Sequence, residues 1–427
     1  MKAQRREFLA ALGAGAAVSA LGACATTPAA KGRVVVIGGG YAGATAAKYI
    51  RMWSEGSVDV TLVEARDRFV SCPMSNLVIG GSKTLDYITI PYDNLAKRHG
   101  VKLVRDTATA VDTEKRIVTT AGGQKLAYDR LIVAPGIDFI WSSLPAMAKN
   151  PDAAVQVAPH AWIAGPQTVL LRRQLEAMPD GGVAVISIPR APYRCPPGPY
   201  ERACQIAWYF KNRKPKSKVL ILDGNDDIQS KKGLFLKVWG EDYKGLIEYR
   251  ANHVLTDVDL ATRTLKFEVQ GDVKADVINV IPPQRAGAIA RAAGVVTAND
   301  RWCEVDFLSY ESIKVKNVHV LGDAIQIAPG MPKSGHMANQ HAKVCAAAVV
   351  ALLSGQTVNP TPVVTNTCYS MTNDTDTMHV ASVHQYDAGK KTMLTVPGSG
   401  GLSTAPTALE GRYAFAWAQN IWADMLA

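Results

Sequence analysis

The sequence predicts an α/β protein built from two strand–helix–strand units and a smaller α+β unit at the C-terminal end. Three observations predict this. Residues 31–52, KGRVVVIGGGYAGATAAKYIRM, place an apolar run, a glycine turn and a helix-forming run in succession. The stretches GGVAVISIP and SKVLILDGND repeat the apolar-run pattern on either side of a helical run near 199–212. Beyond residue 356 come short turn-bounded runs, TNTCYSM, HVASVHQYD and KKTMLTVP, and then an aromatic-rich helix, GRYAFAWAQNIWADMLA.

In the first unit, Val34 to Ile37 reads as a buried parallel strand. Gly38, Gly40 and Gly43 then form G-x-G-x-x-G. The next apolar run, VDVTLVEAR, ends in Glu64, 21 residues after Gly43. A glycine pattern alone is weak. One that follows a strand, opens a helix and precedes an acid on the next strand is a dinucleotide fingerprint. The first glycine permits the turn, the second lets backbone N–H groups approach a pyrophosphate, and the third allows close helix–strand packing. Glu64 is placed to accept from a ribose hydroxyl. The fold expected is therefore Rossmann-like.

Farther on, YDRLIVAPGI at 128–137 reads as a short strand entering a Pro-Gly turn. The segment from Val315 reads as a strand ending in Gly322-Asp323, followed by a loop and an apolar helix. Together these follow the pattern of flavoproteins with two dinucleotide domains, in which the Gly-Asp carboxylate holds the ribityl chain of FAD. That pattern assigns Asp323 to the cofactor.

The second unit echoes the first, and its second strand also ends in an acid, Asp223. Its turn differs. PRAPYRCPPGPYE keeps one glycine, Gly198, and is filled with proline, which has no N–H to offer a phosphate and stiffens the chain. This unit is expected to keep the fold without binding a nicotinamide nucleotide. The expected divisions are a signal segment at 1–30, an FAD-binding domain from 31–146 and 285–355, the second Rossmann-like domain at 147–284, and a C-terminal interface domain at 356–427.

Bulk properties narrow the function. The chain has 427 residues, 48% hydrophobic and 20% charged, enough for roughly three domains of about 150 residues each. Net charge is +10. Residues 1–30 hold three basic groups and one acidic group, so the rest keeps 47 − 3 = 44 basic and 37 − 1 = 36 acidic groups, or +8. That favours an anionic substrate or an acidic partner. The basic residues are scattered without an arginine–aromatic stripe, which excludes a nucleic-acid binder. The stretch QRREFLAALGAGAAVSALGACA reads as a twin-arginine export signal, which points to the periplasm. LGAC at 21–24 also resembles a lipoprotein site, so lipid anchoring at Cys24 is the alternative fate. The apolar stretch is too short and too rich in Gly and Ala for a stable membrane span.

Seven cysteines are present, at 24, 72, 195, 204, 303, 345 and 368, with no CxxC or CxxCH. A zinc ribbon or an attached c-type haem is thereby excluded. Cys72, eight residues past Glu64, can be a redox partner, a buried thiol or a covalent attachment point. If the residues between them are helical, Cys195 and Cys204 lie about 13.5 Å apart, beyond disulfide reach. Cys345 reads as a small buried apolar residue, and Cys303 as structural. The aromatics Tyr413, Phe415, Trp417 and Trp422 read as core or subunit interface, with membrane docking as the alternative.

Taken in order, GGGYAGATAAKYI, CPMSNLVIGG, YRCPPGPYERA, GDA and TNTCYSM resemble the flavoprotein subunits of flavocytochrome c sulfide dehydrogenases. These are relatives of sulfide:quinone reductases with a glutathione reductase-like fold. The resemblance covers nearly the whole chain after the signal. It implies FAD held covalently by Cys72, a redox disulfide between Cys195 and Cys368, and Glu201 as a base, although a helix-stabilising Glu201 is equally compatible with the sequence. It further implies HS⁻ as substrate and, with no haem motif here, a separate cytochrome c subunit as partner. Two other functions stay open. One is a membrane-associated sulfide:quinone reductase, for which a lipid-facing C-terminal helix pair is expected and only one helix is found. The other is an accessory flavoprotein that reactivates a sulfur-oxidising system by thiol exchange.

Overall fold

The computed structural model describes residues 31–427. The signal segment and Cys24 lie outside the described residues. In chain order, the first unit contains β1 (Gly32–Ile37), α1 (Tyr41–Trp53), β2 (Val58–Val63), the short α2 (Ser75–Gly80), β3 (Lys102–Val104) and β4 (Arg130–Val133). The second contains β5 (Val183–Ile188), α3 (Gly198–Arg213), β6 (Lys218–Asp223), α4 (Lys232–Glu241), β7 (Ile247–Arg250) and β8 (Val277–Val280). The chain then returns to the first sheet with β9 (Val318–Val320) and α5 (Gly335–Leu353), and ends with β10 (Val363–Met371), β11 (Thr377–Asp387), β12 (Thr392–Thr395) and α6 (Ala408–Leu426).

β9, β4, β1, β2 and β3 lie side by side in that order, all parallel, with two short antiparallel strands beyond β9. Val36 pairs with Leu62 on one side and Ile132 on the other. Val34, Val36, Val60, Leu62, Leu131 and Ile132 are all buried, as a sheet covered on both faces requires. The helix α5 packs along α1. The second sheet runs β7-β6-β5-β8, again parallel. These two α/β sheets are the predicted fold class.

The third sheet is the antiparallel β10-β11-β12. It carries α6, which folds back onto the first unit. Trp422 Nε1 donates to the Tyr41 hydroxyl at 3.1 Å, and Asp424 accepts from Tyr49 at 2.5 Å, Asn339 at 2.7 Å and Lys343 at 3.0 Å. Trp422 is therefore core, as one reading of the aromatic end expects. Among the described residues no helix is long and apolar enough to cross a membrane.

Candidate functional site

The C-terminal ends of β1, β4 and β9 open onto a cavity of about 430 Å³, the size of a small-molecule site. Gly38 ends β1 with φ +95°, a conformation that favours glycine. A Cβ on Gly43 would run into the Gly38 carbonyl, so this glycine serves packing and does not line the cavity. Gly40 faces open space and does line it. Glu64, also at the wall, accepts from the Gly39 N–H at 2.7 Å and from Arg66 at 3.2 Å. Burial opposes its ionisation, but Arg66 and these hydrogen bonds hold the carboxyl below the usual carboxylate range.

Asp323 reaches the same cavity from the turn after β9. The residue is half-buried, and its Oδ1 is buried with no partner within the protein. Burial raises its pKa, with Arg194 and Lys333 opposing. A buried acceptor without a donor is costly, and a ligand hydroxyl would satisfy it. Trp162 Nε1, on another wall, is likewise buried without a partner. The glycine turn, the ribose-level acid and this orphaned carboxylate fit a dinucleotide cofactor such as FAD.

The sulfur residues lie around this same cavity. Cys72, Cys195 and Cys368 all line it, while Cys204, Cys303 and Cys345 are buried elsewhere. Cys204 instead accepts from Trp239 Nε1 at 3.3 Å. All six described cysteines are free thiols. The Cys72 thiol faces the Trp162 carbonyl at 3.7 Å. Cys195 sits in the proline-rich turn before α3, with φ +57° and its N–H bound to the Lys333 carbonyl at 2.8 Å. Burial pushes its thiol pKa up, and so do Cys368 and Glu201, while Arg194 and Lys231 oppose. Cys368 comes from the middle of β10, where the Asn366 amide meets its sulfur at 3.3 Å.

Glu201 lies in the first turn of α3, only 8% exposed. Its Oε1 accepts from the Met371 N–H at 3.4 Å. Burial raises its pKa to about 7, with Lys231, Met371 and Asn76 opposing, which suits a group that exchanges protons near neutrality.

Sequence reasoning missed several residues here. The Arg202 guanidinium is fully buried and bonds Asn76, Asn279 and the carbonyls of His160 and Ala161, without a carboxylate partner. Burial lowers its pKa to about 10. Arg194 donates to the Trp162 carbonyl; burial works against its charge, but Cys72, Asp323 and Cys195 outweigh it and the pKa is raised. Met74 and Ala161, like Cys195, hold φ values of +71° and +45° on the cavity wall. Such clustering of strained residues is typical of functional sites. No local sequence signal marks any of them; their partners lie far along the chain.

The second unit has used its own nucleotide position internally. Asp223, at the end of β6, accepts from Tyr200 at 2.7 Å, Tyr249 at 3.2 Å and Asn225 at 2.7 Å.

Comparison with known proteins agrees with this geometry. Residues 32–161 match the pyridine nucleotide-disulphide oxidoreductases. Residues 168–282 match the central domain of the sulfide dehydrogenase (flavocytochrome c) flavoprotein chain, and residues 360–426 the flavocytochrome c sulphide dehydrogenase flavin-binding domain. A 46-residue stretch is 56% identical to the sulfide dehydrogenase (flavocytochrome c) flavoprotein chain of Chlorobaculum thiosulfatiphilum, covering 94% of that sequence and 11% of this one. The chain belongs to the family of flavocytochrome c sulfide dehydrogenase and sulfide:quinone reductase flavoproteins. Within it, the mitochondrial sulfide:quinone oxidoreductase of Dictyostelium discoideum is 23% identical over 68% of this chain and 65% of that protein. The crystal structure of the sulfide:quinone oxidoreductase from Aquifex aeolicus superposes with a TM-score of 0.74 at 19% identity, covering 92% of this chain and 91% of that one, and shows the shared fold.

Proposed function

We propose that this protein is a sulfide dehydrogenase that passes electrons through FAD to a c-type cytochrome subunit. The observation that carries the reading is the convergence of Cys195 and Cys368 with buried Glu201 on a cavity that also holds Cys72 and the unpartnered Asp323. In this reading Cys195 and Cys368 form a disulfide in the resting enzyme. HS⁻ attacks one of its sulfurs, the protein S–S bond breaks, a persulfide forms on one cysteine and a thiolate is left on the other. When the disulfide closes again, sulfur leaves at the zero-valent level, one proton is lost and two electrons depart. Glu201 takes the proton. Gly38, Gly40, Glu64 and Asp323 would hold FAD, with Cys72 as its covalent anchor. FAD, when bound, supplies a two-electron acceptor that can hand electrons on singly.

The twin-arginine reading of the segment at 1–30 supports a periplasmic location, a compartment in which a disulfide persists. Quinone as acceptor is the second reading, favoured by the two relatives named as sulfide:quinone oxidoreductases. Purified holoprotein given sulfide distinguishes the two: reduction of added cytochrome c without reduction of a short-chain quinone is expected, and the opposite result would overturn the first reading. Acid denaturation should leave the yellow colour on the polypeptide and release it from Cys72→Ser. Loss of sulfide-dependent flavin bleaching in Cys195→Ser is the companion expectation.

A further inference from the structure

Lys231 belongs to the second unit, yet its side chain leaves that unit and ends against β10. Its Nζ donates to the Cys368 carbonyl at 2.7 Å and to the Ser370 hydroxyl at 2.8 Å. The residue is 7% exposed and precedes α4 with φ +54°, a strained conformation that aims the side chain inward. Among the described residues it makes no salt bridge. Its direct partners are neutral oxygens, with Glu201 and Glu410 favouring the charge without a salt bridge; a structural role alone would be met by a neutral donor.

The sulfur next to it is prepared for charge as well. Ser334 donates to Asn366 Oδ1 at 2.6 Å, which turns the Asn366 amide N–H toward Cys368 Sγ at 3.3 Å. Cys368 therefore has a cation behind its backbone and an N–H donor at its sulfur. At Cys195 burial and Glu201 disfavour a negative charge and outweigh the opposing Arg194 and Lys231.

We propose that Lys231 is a positioning residue that holds the negative charge left on Cys368 when the Cys195–Cys368 bond opens. This rests on the proposed disulfide chemistry and deepens it. HS⁻ forms its new S–S bond to Cys195 Sγ, the bond between the two cysteines breaks, and its electron pair goes to Cys368 Sγ. The proton stays on the Cys195 persulfide, within the domain of Glu201. No external oxidant is needed for this step. Burial works against the Lys231 charge; Cys368, Glu201, Cys195 and Glu410 favour it, in that order. The charge is therefore firmest when a thiolate stands at Cys368.

The test uses the full-length holoprotein and its Lys231→Met, Lys231→Arg and Ser370→Ala variants. Each is equilibrated in dithiothreitol buffers, and the Cys195–Cys368 couple is followed by alkylation and peptide mass spectrometry. Loss of the cation should shift the equilibrium toward the disulfide about tenfold or more in Lys231→Met. A tenfold shift corresponds to about 30 mV in potential. Lys231→Arg should recover most of it, and Ser370→Ala, which keeps the charge and loosens one anchor, should fall between. A Lys231→Met protein with normal FAD content and an unchanged equilibrium would overturn the proposal. So would an Arg variant no better than Met. Should Lys231→Met fail to fold, a Ser370→Ala variant indistinguishable from the parent would overturn it equally. Failure of the underlying reading looks different: sulfide would still bleach the flavin of Cys368→Ser.

Discussion

Glu201 shows how a single residue can be stabilised for chemistry at the expense of the fold. Its carboxyl is buried, accepts from the Met371 N–H and feels the Lys231 charge, and its pKa rises to about 7 from an ordinary value of 4.5. A carboxyl raised in the folded state binds its proton more tightly there than in the unfolded chain. Stability is therefore fully present below pH 4.5 and declines as pH rises toward 7. Above that, the ionised group costs the fold up to roughly 3 kcal/mol. Glu201→Gln keeps the acceptor for Met371 and removes the charge. The variant is expected to melt several degrees higher than the parent at pH 8 and at the same temperature at pH 4.5, by calorimetry. It should also reduce its flavin with sulfide at least tenfold more slowly, the usual range for removing a proton-transfer group being about 10²–10⁴. A variant no more stable at pH 8 would show that Glu201 is ionised there without strain.

At the scale of the element, the β1–turn–α1 unit separates two jobs that glycine performs in one motif. Gly43 packs against the Gly38 carbonyl, whereas Gly40 faces the cavity. Gly43→Ala should therefore lower the melting temperature of the FAD-free protein markedly. Gly40→Ala should leave that temperature within a degree or two and cut the flavin-to-protein ratio, because its new methyl enters the space assigned to the cofactor; equal effects of the two would contradict the division. This element was legible in the sequence because strand, turn and helix are contiguous and each carries its own signal. So was α3, expected near 199–212 and found at Gly198–Arg213. The small antiparallel sheet of Ala108–Asp112, Ile117–Thr120 and Lys125–Ala127 was not anticipated. Its strands are short, and the outer two are half exposed, so they show no clear period. Lys231 was illegible for a different reason. In SKKGLF it looks like part of a solvated charge run, and its partner Cys368 lies 137 residues away. Cys72 stood out by its place eight residues past Glu64, and Cys195 and Cys368 through the resemblance of the motifs that carry them. Arg194 and Arg202, flanking them, gave no such signal.

Over the whole molecule, the two Rossmann-like units have taken different work. The first keeps a glycine turn and an open cavity. In the second, the proline-rich turn lacks the N–H groups a pyrophosphate needs, and Asp223, the residue corresponding in position to Glu64, is saturated by Tyr200, Tyr249 and Asn225. Tyr200 and Tyr249 are packed with Phe235 and Trp239 into one aromatic cluster. A nucleotide ribose would have to break those hydrogen bonds and disperse the cluster. The same unit contributes Cys195, Glu201 and Lys231 to the cavity wall or its support, so its rigidity serves the sulfur site. The consequence expected under the proposed function is a chain that accepts electrons from sulfide but not from a nicotinamide. Millimolar NADH or NADPH, added without oxygen to the holoprotein, should leave the flavin absorbance unchanged over minutes, while sulfide bleaches it in the same cuvette. Tyr200→Phe, which frees one of the bonds to Asp223, should not restore NADH oxidation, because the prolines still deny the pyrophosphate its donors. Rapid bleaching by NADH in the parent protein would mean that the second unit still binds nucleotide and that its turn rearranges to do so.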